Sequence, residues 1–252
     1  MNLARRVLVC LFTCLSLIGT TRAADIPLQD GPASLQRSPA DRERDAREHP
    51  QEVLAFAGFA KGTVIADLFG GGGYYSEILA RAVGPDGRVR LINNIPYHEY
   101  AKADSTQRFA NGRLPGVSYE VVPETDMKLG SASLDGAVMV MAYHDLYVAD
   151  PENGWPAVDA GQFLEQVVEA LKPGGVFLLV DHAAREGSDA ADAQTLHRID
   201  EAFARRDLES HGLEFVKATD LLRNPDDTRN QGVMNPEIRG RTDRFVHLYR
   251  KP

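Results

Sequence analysis

Three groups of residues carry chemistry by type and spacing. Asp67 is followed, after Leu68 and Phe69, by four consecutive glycines, Gly70 to Gly73. Glycines take positive φ without strain and let backbone N–H groups approach a ligand, so a nucleotide-like molecule fits such a turn. Tyr143, His144 and Asp145 are adjacent, a pattern suited to a general base with an orienting carboxylate. Asp181, His182 and His197 add oxygen and nitrogen donors. If these converge with His144 and Asp145, they offer the ligand types a hard or borderline divalent ion takes.

The elements that must position these groups follow from the pattern around them. Val64, Ile65 and Ala66 form a short apolar run that reads as a buried parallel strand, and Tyr74 to Val83 has the spacing of a helix with Ile78, Leu79 and Val83 inward. Strand, glycine turn and helix thus adjoin. The spacing excludes a G-x-G-x-x-G dinucleotide fingerprint, because the third glycine position falls on Tyr75 or Ser76. A plain turn would not need four glycines, whose unfolded-state entropy makes them costly to order.

Upstream, Ser38 and Pro39 open a helix that ends at Pro50, and a second helix runs from Pro50 to Gly58. Downstream, strands are expected at Arg88 to Ile92, Gly116 to Val122, Leu134 to Met141, Val176 to Val180, Leu213 to Ala218 and Arg244 to Arg250. Helices are expected at Pro96 to Ala110, Gly161 to Leu171 and, as one long element, Asp189 to His211. Asn224 to Thr242 is a polar connection rich in Asp and Arg, long enough to suggest a role as a lid or an anion holder. Open parallel sheets bind ligands at the carboxyl ends of their strands, which is where His144, Asp181 and His182 fall.

The acidic residue on the first strand and its G-x-G-G-Y turn resemble motif I of class I S-adenosylmethionine (SAM) methyltransferases. The helix, turn and strand of LEQVVEALKPGGVFLLVDH (Leu164 to His182) resemble the same family around its fifth strand. The segments RERDAREHP, AYHDLY, LHRID and RGRTDRF resemble a group of exported bacterial methyltransferase-like proteins. The resemblance covers the chain from about Val53 onward. It implies a Rossmann-like α/β fold with a mostly parallel seven-stranded sheet, an antiparallel last strand and helices on both faces. It implies SAM as cofactor, with Asp67 near the amino-acid end and Gly70, Gly72 and Gly73 packed against it. Asn93 or Asn94 would replace the family's ribose-binding acid, and Asp126 and Met127 would meet the adenine. Tyr143, His144 and Asp145 would face the transferred methyl group, and Arg47 and His49, on the helix that overlies the cleft in such enzymes, are substrate candidates.

The 252 residues are 43% hydrophobic and 25% charged, as expected for one α/β domain. Arg5 and Arg6, an apolar run from Val7 to Ile18, and Thr21, Arg22, Ala23 form a signal-peptide pattern with cleavage near Ala23. The expected organisation is therefore a signal peptide over 1–23, an arm over 24–38 and a methyltransferase-like domain over 39–252, exported to the periplasm. A twin-arginine route is the lesser reading beside general secretion. Both cysteines, Cys10 and Cys14, lie in the leader, so the mature chain has neither disulfide nor thiolate chemistry. Losing three leader arginines and no acid moves the formal charge from −8 to −11, which argues against nucleic acid or an anionic membrane as partner.

The leading expectation is a SAM-dependent methyltransferase acting on a small molecule, with no resident metal. A metal-dependent enzyme built on the His and Asp cluster is a second reading. An exported binding protein that holds SAM without transferring its methyl is a third, favoured by Asn93 and Asn94 standing where the family has an acid.

Overall fold

The structure is a computed structural model, and it describes residues 37–252. The expected signal peptide and nearly all of the arm lie outside the described residues. Two helices come first, α1 (Pro39–Glu48) and α2 (Pro50–Ala57). Ser38 caps α1 by accepting from the Asp41 N–H, and Pro39 fills its first turn. His49 lies between the two helices in the left-handed region, φ 43°, and Pro50 restarts the second.

The rest alternates strand and helix: β1 (Val64–Leu68), α3 (Tyr74–Val83), β2 (Arg88–Asn93), α4 (Ile95–Phe109), β3 (Val117–Val121), β4 (Leu134–Val140), α5 (Ala160–Ala170) and β5 (Leu171–His182). It ends with α6 (Ala193–Leu196), α7 (Glu201–Ser210), β6 (Glu214–Thr219) and β7 (Arg244–Arg250). One seven-stranded sheet has the order β3-β2-β1-β4-β5-β7-β6. β1 to β5 are parallel, and β7 enters antiparallel between β5 and β6. The expected sheet is therefore present. β5 begins earlier than expected, at Leu171, with an irregularity in its register where the Pro173, Gly174, Gly175 turn loops out.

Alternation along the strands builds two cores. Ala66, Leu68, Ala137, Met139, Phe177, Leu179, Phe245 and Tyr249 face α5 and α7, meeting Phe163, Leu164, Val167 and Leu208. Ile65, Val138, Leu178, Val180, Val246 and Leu248 face α2 and α3, meeting Val53, Leu54, Ile78 and Leu79. The period of two along each strand and the 3.6-residue spacing on each helix are what make both faces bury.

The strand order reverses between β1 and β4, and an open α/β sheet leaves a crevice at that point. Both strands are followed at once by a non-glycine residue at positive φ, Phe69 at 51° and Met141 at 53°. Such a conformation costs on the order of 1–3 kcal/mol and tends to persist where the chain must turn away sharply beside a site.

One expected element is corrected. The single helix over 189–211 is two helices, because His197 adopts φ 52° and Ile199 bridges to Ala183 instead of continuing the coil. The cause lies in the next residues. Arg198 is fully buried, donating to the carbonyls of Ala183 and Gln231 and pairing with Asp227, and Asp200 leaves the helix to cap α7 at the Phe203 N–H. The break brings His197 back to the end of the sheet.

Candidate active site

A cleft of about 1210 Å³ opens at the carboxyl ends of β1 and β4. Its floor is Asp67 and the backbone of Gly70, Gly71 and Gly72. Asp67 points to the α3 side, and its carboxylate accepts from the Ser76 hydroxyl at 2.6 Å. Burial outweighs the Ser76 hydrogen bonds and pushes the Asp67 carboxyl up to about 6. A cation placed against it would recover the lost solvation. Gly70 has no space for a side chain: a Cβ there would lie 2.5 Å from the Asp67 carboxylate and from Leu91. Gly73 caps α3 at φ 79°, with Phe109 and Leu91 about it.

Beside Asp67 the wall holds Arg44, Glu48, Tyr75 and Arg244. Glu48 and Arg244 form a buried ion pair that ties α1 to β7. The Tyr75 hydroxyl and the Arg244 Nε are buried and have no partner among the described residues. A buried polar atom left unpaired costs about 1–3 kcal/mol. Two such donors together with Asp67 suit a zwitterion, an ammonium against the carboxylate and a carboxylate against the phenol and guanidinium.

The opposite wall is aromatic. Phe69 stacks on Tyr97 at 4.6 Å between centroids, and Trp155 stands edge-on to Tyr97 at 5.4 Å and to Tyr100 at 6.2 Å. α4 also contributes Asp104 and Arg108. Arg108 is held by Asp41, Glu77 and the Gly72 carbonyl, so it braces the glycine turn. Asp104 stands beside Gly72, where a Cβ would lie 2.6 Å from its own.

At the end of β4, His144 and Asp145 reach the cleft in a short 3-10 turn, Tyr143–Tyr147. The His144 Nδ1 hydrogen bonds Asp181 Oδ1 at 2.7 Å, and Asp181 Oδ2 accepts from the His144 N–H at 2.8 Å. Burial opposes charge on His144, but the Asp181 and Asp145 carboxylates outweigh it and hold the imidazole up to about 9. The two carboxylates thus favour a proton on the His144 ring. Burial would raise Asp145, yet His144, His197 and Tyr97 hold it below the usual carboxylate range. Tyr97 donates to Asp145 Oδ2 at 2.5 Å, and His197 Nδ1 lies 3.2 Å from Oδ1. His182 also borders the cleft, with its Nδ1 2.7 Å from the Thr242 hydroxyl. Burial and the neighbouring cations hold His182 neutral.

The structure thus gathers Asp67, Gly70, Gly72, His144, Asp145, His182, His197 and Arg47 around one cleft. It places the other expected residues elsewhere. Tyr143 is fully buried behind the turn, its hydroxyl shared with Tyr147 and Asp207. Asn93 is buried and clamps the glycine turn: its Oδ1 accepts from Gly71 N–H at 3.0 Å and its Nδ2 donates to Gly71 O at 2.9 Å. Asn94 caps α4 by accepting from the Tyr97 N–H. Met127 is fully buried in the core, and Asp126 pairs with Lys128 in solvent. None of Tyr143, Asn93, Asn94, Asp126, Met127, Gly73 or His49 borders the cleft.

Sequence reasoning missed Tyr97, Tyr100 and Asp104. The signal was present: Tyr97 and Tyr100 are three apart and Asp104 a further turn on, one face of the helix that follows β2. The polar connection after β6 does reach the cleft, through Met234, Arg239, Gly240 and Arg241, as a lid would. Within it Asp227 pairs with Arg198 and Arg229 with Asp243.

No protein-family model matches the chain, and no curated protein matches it in sequence. Solved structures do. A SAM-dependent methyltransferase from Aquifex aeolicus superposes with a TM-score of 0.59 at 18% identity, over 86% of this chain and 100% of that one. The N-methyltransferase NodS from Bradyrhizobium japonicum gives 0.56 at 16%, over 84% and 99% of the two chains. A SAM-dependent methyltransferase from Mesorhizobium loti gives 0.54 at 16%, over 81% and 98%. The chain has the Rossmann-like fold of class I SAM-dependent methyltransferases.

Proposed function

We propose that the protein is a SAM-dependent methyltransferase acting on a small molecule. The observation that carries this reading is the floor of the cleft: a buried carboxylate, Asp67, beside a glycine turn, with Tyr75 and Arg244, whose hydroxyl and Nε have no partner among the described residues, lining the same cleft. That donor set fits the amino-acid end of SAM, whose ammonium and carboxylate need opposite partners a few ångströms apart. The backbone of Gly70 to Gly72 would pack against the cofactor, Asp104 would accept from the ribose hydroxyls in place of the expected Asn93 and Asn94, and the Tyr97, Tyr100 and Trp155 faces offer a surface for the purine.

Bound SAM supplies an electrophilic methyl on a sulfonium, and transfer leaves the neutral thioether S-adenosylhomocysteine. The protein's part is to hold the acceptor in line and keep water out, since much of the rate of a bimolecular transfer comes from orientation. His144 and Asp145 occupy the wall at the end of β4 and would hold the acceptor's heteroatom. Arg47, Arg239 and Arg241 rim the opening and would favour an acceptor that carries negative charge. The signal-peptide pattern over residues 1–23 would place this activity outside the cytoplasm.

The test uses SAM labelled on its methyl group, incubated with the protein and a cell extract. The reading predicts label in low-molecular-weight compounds, lost in His144→Ala while SAM affinity changes much less. Tight SAM binding with no label transfer to any component would overturn transfer in favour of a SAM-binding protein.

A further inference from the structure

We propose that His144, Asp145 and His197 form a binding site for a borderline divalent metal ion, of the zinc or ferrous class, in the cleft wall. One ligand atom from each residue lies within 4.8 Å of the others. Asp145 Oδ1 is the hub, 3.3 Å from His144 Nε2 and 3.2 Å from His197 Nδ1. Ligands about 2.0 Å from a tetrahedral ion are separated from each other by roughly 3.3 Å, so two of the three edges are already at coordination spacing. The remaining edge, within 4.8 Å, would close by a small rotation of the His197 ring, whose side chain is 42% exposed.

The surroundings of the triad are those of a metal site rather than of a surface ion pair. Asp181 is fully buried and fixes His144 through two bonds, one to the ring Nδ1 and one to the backbone N–H. With Nδ1 so engaged, Nε2 is the nitrogen that faces Asp145 and the cleft. A carboxylate behind a ligating imidazole is the arrangement that sets its tautomer and raises its basicity. Tyr97 holds the other oxygen of Asp145 in the same way, leaving Oδ1 toward the imidazoles. His197 is delivered by the helix break, at a left-handed φ of 52° that a non-glycine residue adopts only at a cost. Two imidazoles and one carboxylate select borderline first-row ions over magnesium or calcium.

Three protein ligands leave at least one coordination position open, and the site borders the cleft. If the transfer reading is correct, on which this role alone rests, an acceptor bearing oxygen, sulfur or another metal-binding donor would be held there.

The chain is prepared without a histidine tag, treated with a chelator and titrated with Zn²⁺ and, separately, with Co²⁺, whose visible absorption reports the donor set. The proposal predicts one ion per chain. His197→Ala weakens binding at least 100-fold and changes the Co²⁺ spectrum, Asp181→Asn weakens it 10- to 100-fold, and His49→Ala, an exposed histidine outside the cleft, leaves it unchanged. Circular dichroism confirms that each variant is folded, and the half-exposed His197 makes its variant the one expected to fold without difficulty. Folded wild-type protein that takes up no ion, or binding that survives His197→Ala, overturns the proposal. SAM is titrated into the chelator-treated protein in parallel, so a missing metal site and a missing cofactor site give different results.

Discussion

Asn93→Asp separates two accounts of the end of β2. The resemblance would treat it as restoring the family's ribose carboxylate, with tighter SAM binding. The structure predicts the reverse. Asn93 donates from Nδ2 to the Gly71 carbonyl at 2.9 Å and to the Tyr119 hydroxyl at 3.3 Å, and it accepts from Gly71 N–H at 3.0 Å. A carboxylate retains only the acceptor half of this clamp and sets a negative charge against the Gly71 carbonyl oxygen in a fully buried position. Losing one good hydrogen bond costs about 1 kcal/mol, and leaving the carbonyl opposed rather than satisfied adds roughly 1–2 kcal/mol. The total is about 2–3 kcal/mol. For a domain of this size that lowers Tm by about 4–12 °C. Thermal and urea unfolding measure the stability, and calorimetry measures SAM affinity on the folded variant. The glycine turn loses its brace, so affinity should fall at least several-fold. Unchanged stability with tighter SAM binding would refute the clamp and return Asn93 to the ribose.

Other consequences are as direct. Asp67 is held up to about 6 by burial, above the unfolded carboxylate value of roughly 3.9. Its contribution to stability is therefore fully present below pH 4 and lost as pH rises through 6, whereas an ammonium ligand needs the ionised form. SAM affinity should fall about tenfold between pH 7 and pH 5, and calorimetry at the two pH values would show a flat profile if Asp67 were not the partner. Asp104→Asn should weaken SAM binding about tenfold by removing a charge-assisted hydrogen bond, with unfolding unchanged, and an unaffected affinity would remove Asp104 from the site. Asp227→Ala leaves the fully buried Arg198 guanidinium without its carboxylate, which should cost about 3–5 kcal/mol in urea unfolding, and a loss under 1 kcal/mol would contradict its structural role. Trp155, the only tryptophan, lines the cleft, so its fluorescence should change on saturation with SAM or S-adenosylhomocysteine. A constant signal at saturation would mean that the aromatic wall is not part of the site.

The strands and the glycine turn were legible because they are local. Val64 to Leu68 and Tyr74 to Val83 have the periods of their elements, and Gly84 to Gly87 punctuates them, so β1 and α3 fall where the pattern puts them. The break at His197 was not legible. Ala193 to Ser210 has no Pro or Gly, and what interrupts the coil is burial of Arg198 against Asp227, 29 positions away in sequence. The roles of Asn93 and Asp126 failed in the same way. Sequence order puts both at strand ends, but only side-chain direction shows that Asn93 turns back to Gly71 and that Asp126 turns out to Lys128. Asp104 escaped for the opposite reason, because a charged residue in a helix ordinarily faces solvent, and its proximity to Gly72 is a product of how α4 packs.

The central claim is that the turn after β1 holds SAM by its amino-acid end. Calorimetric titration of SAM and S-adenosylhomocysteine into the wild-type protein and Asp67→Ala tests it most directly. One-to-one binding of both ligands to the wild type is expected, with loss of at least tenfold in affinity in an Asp67→Ala variant that stays folded. Absence of binding to well-folded wild type, or equal affinity in Asp67→Ala, would contradict it.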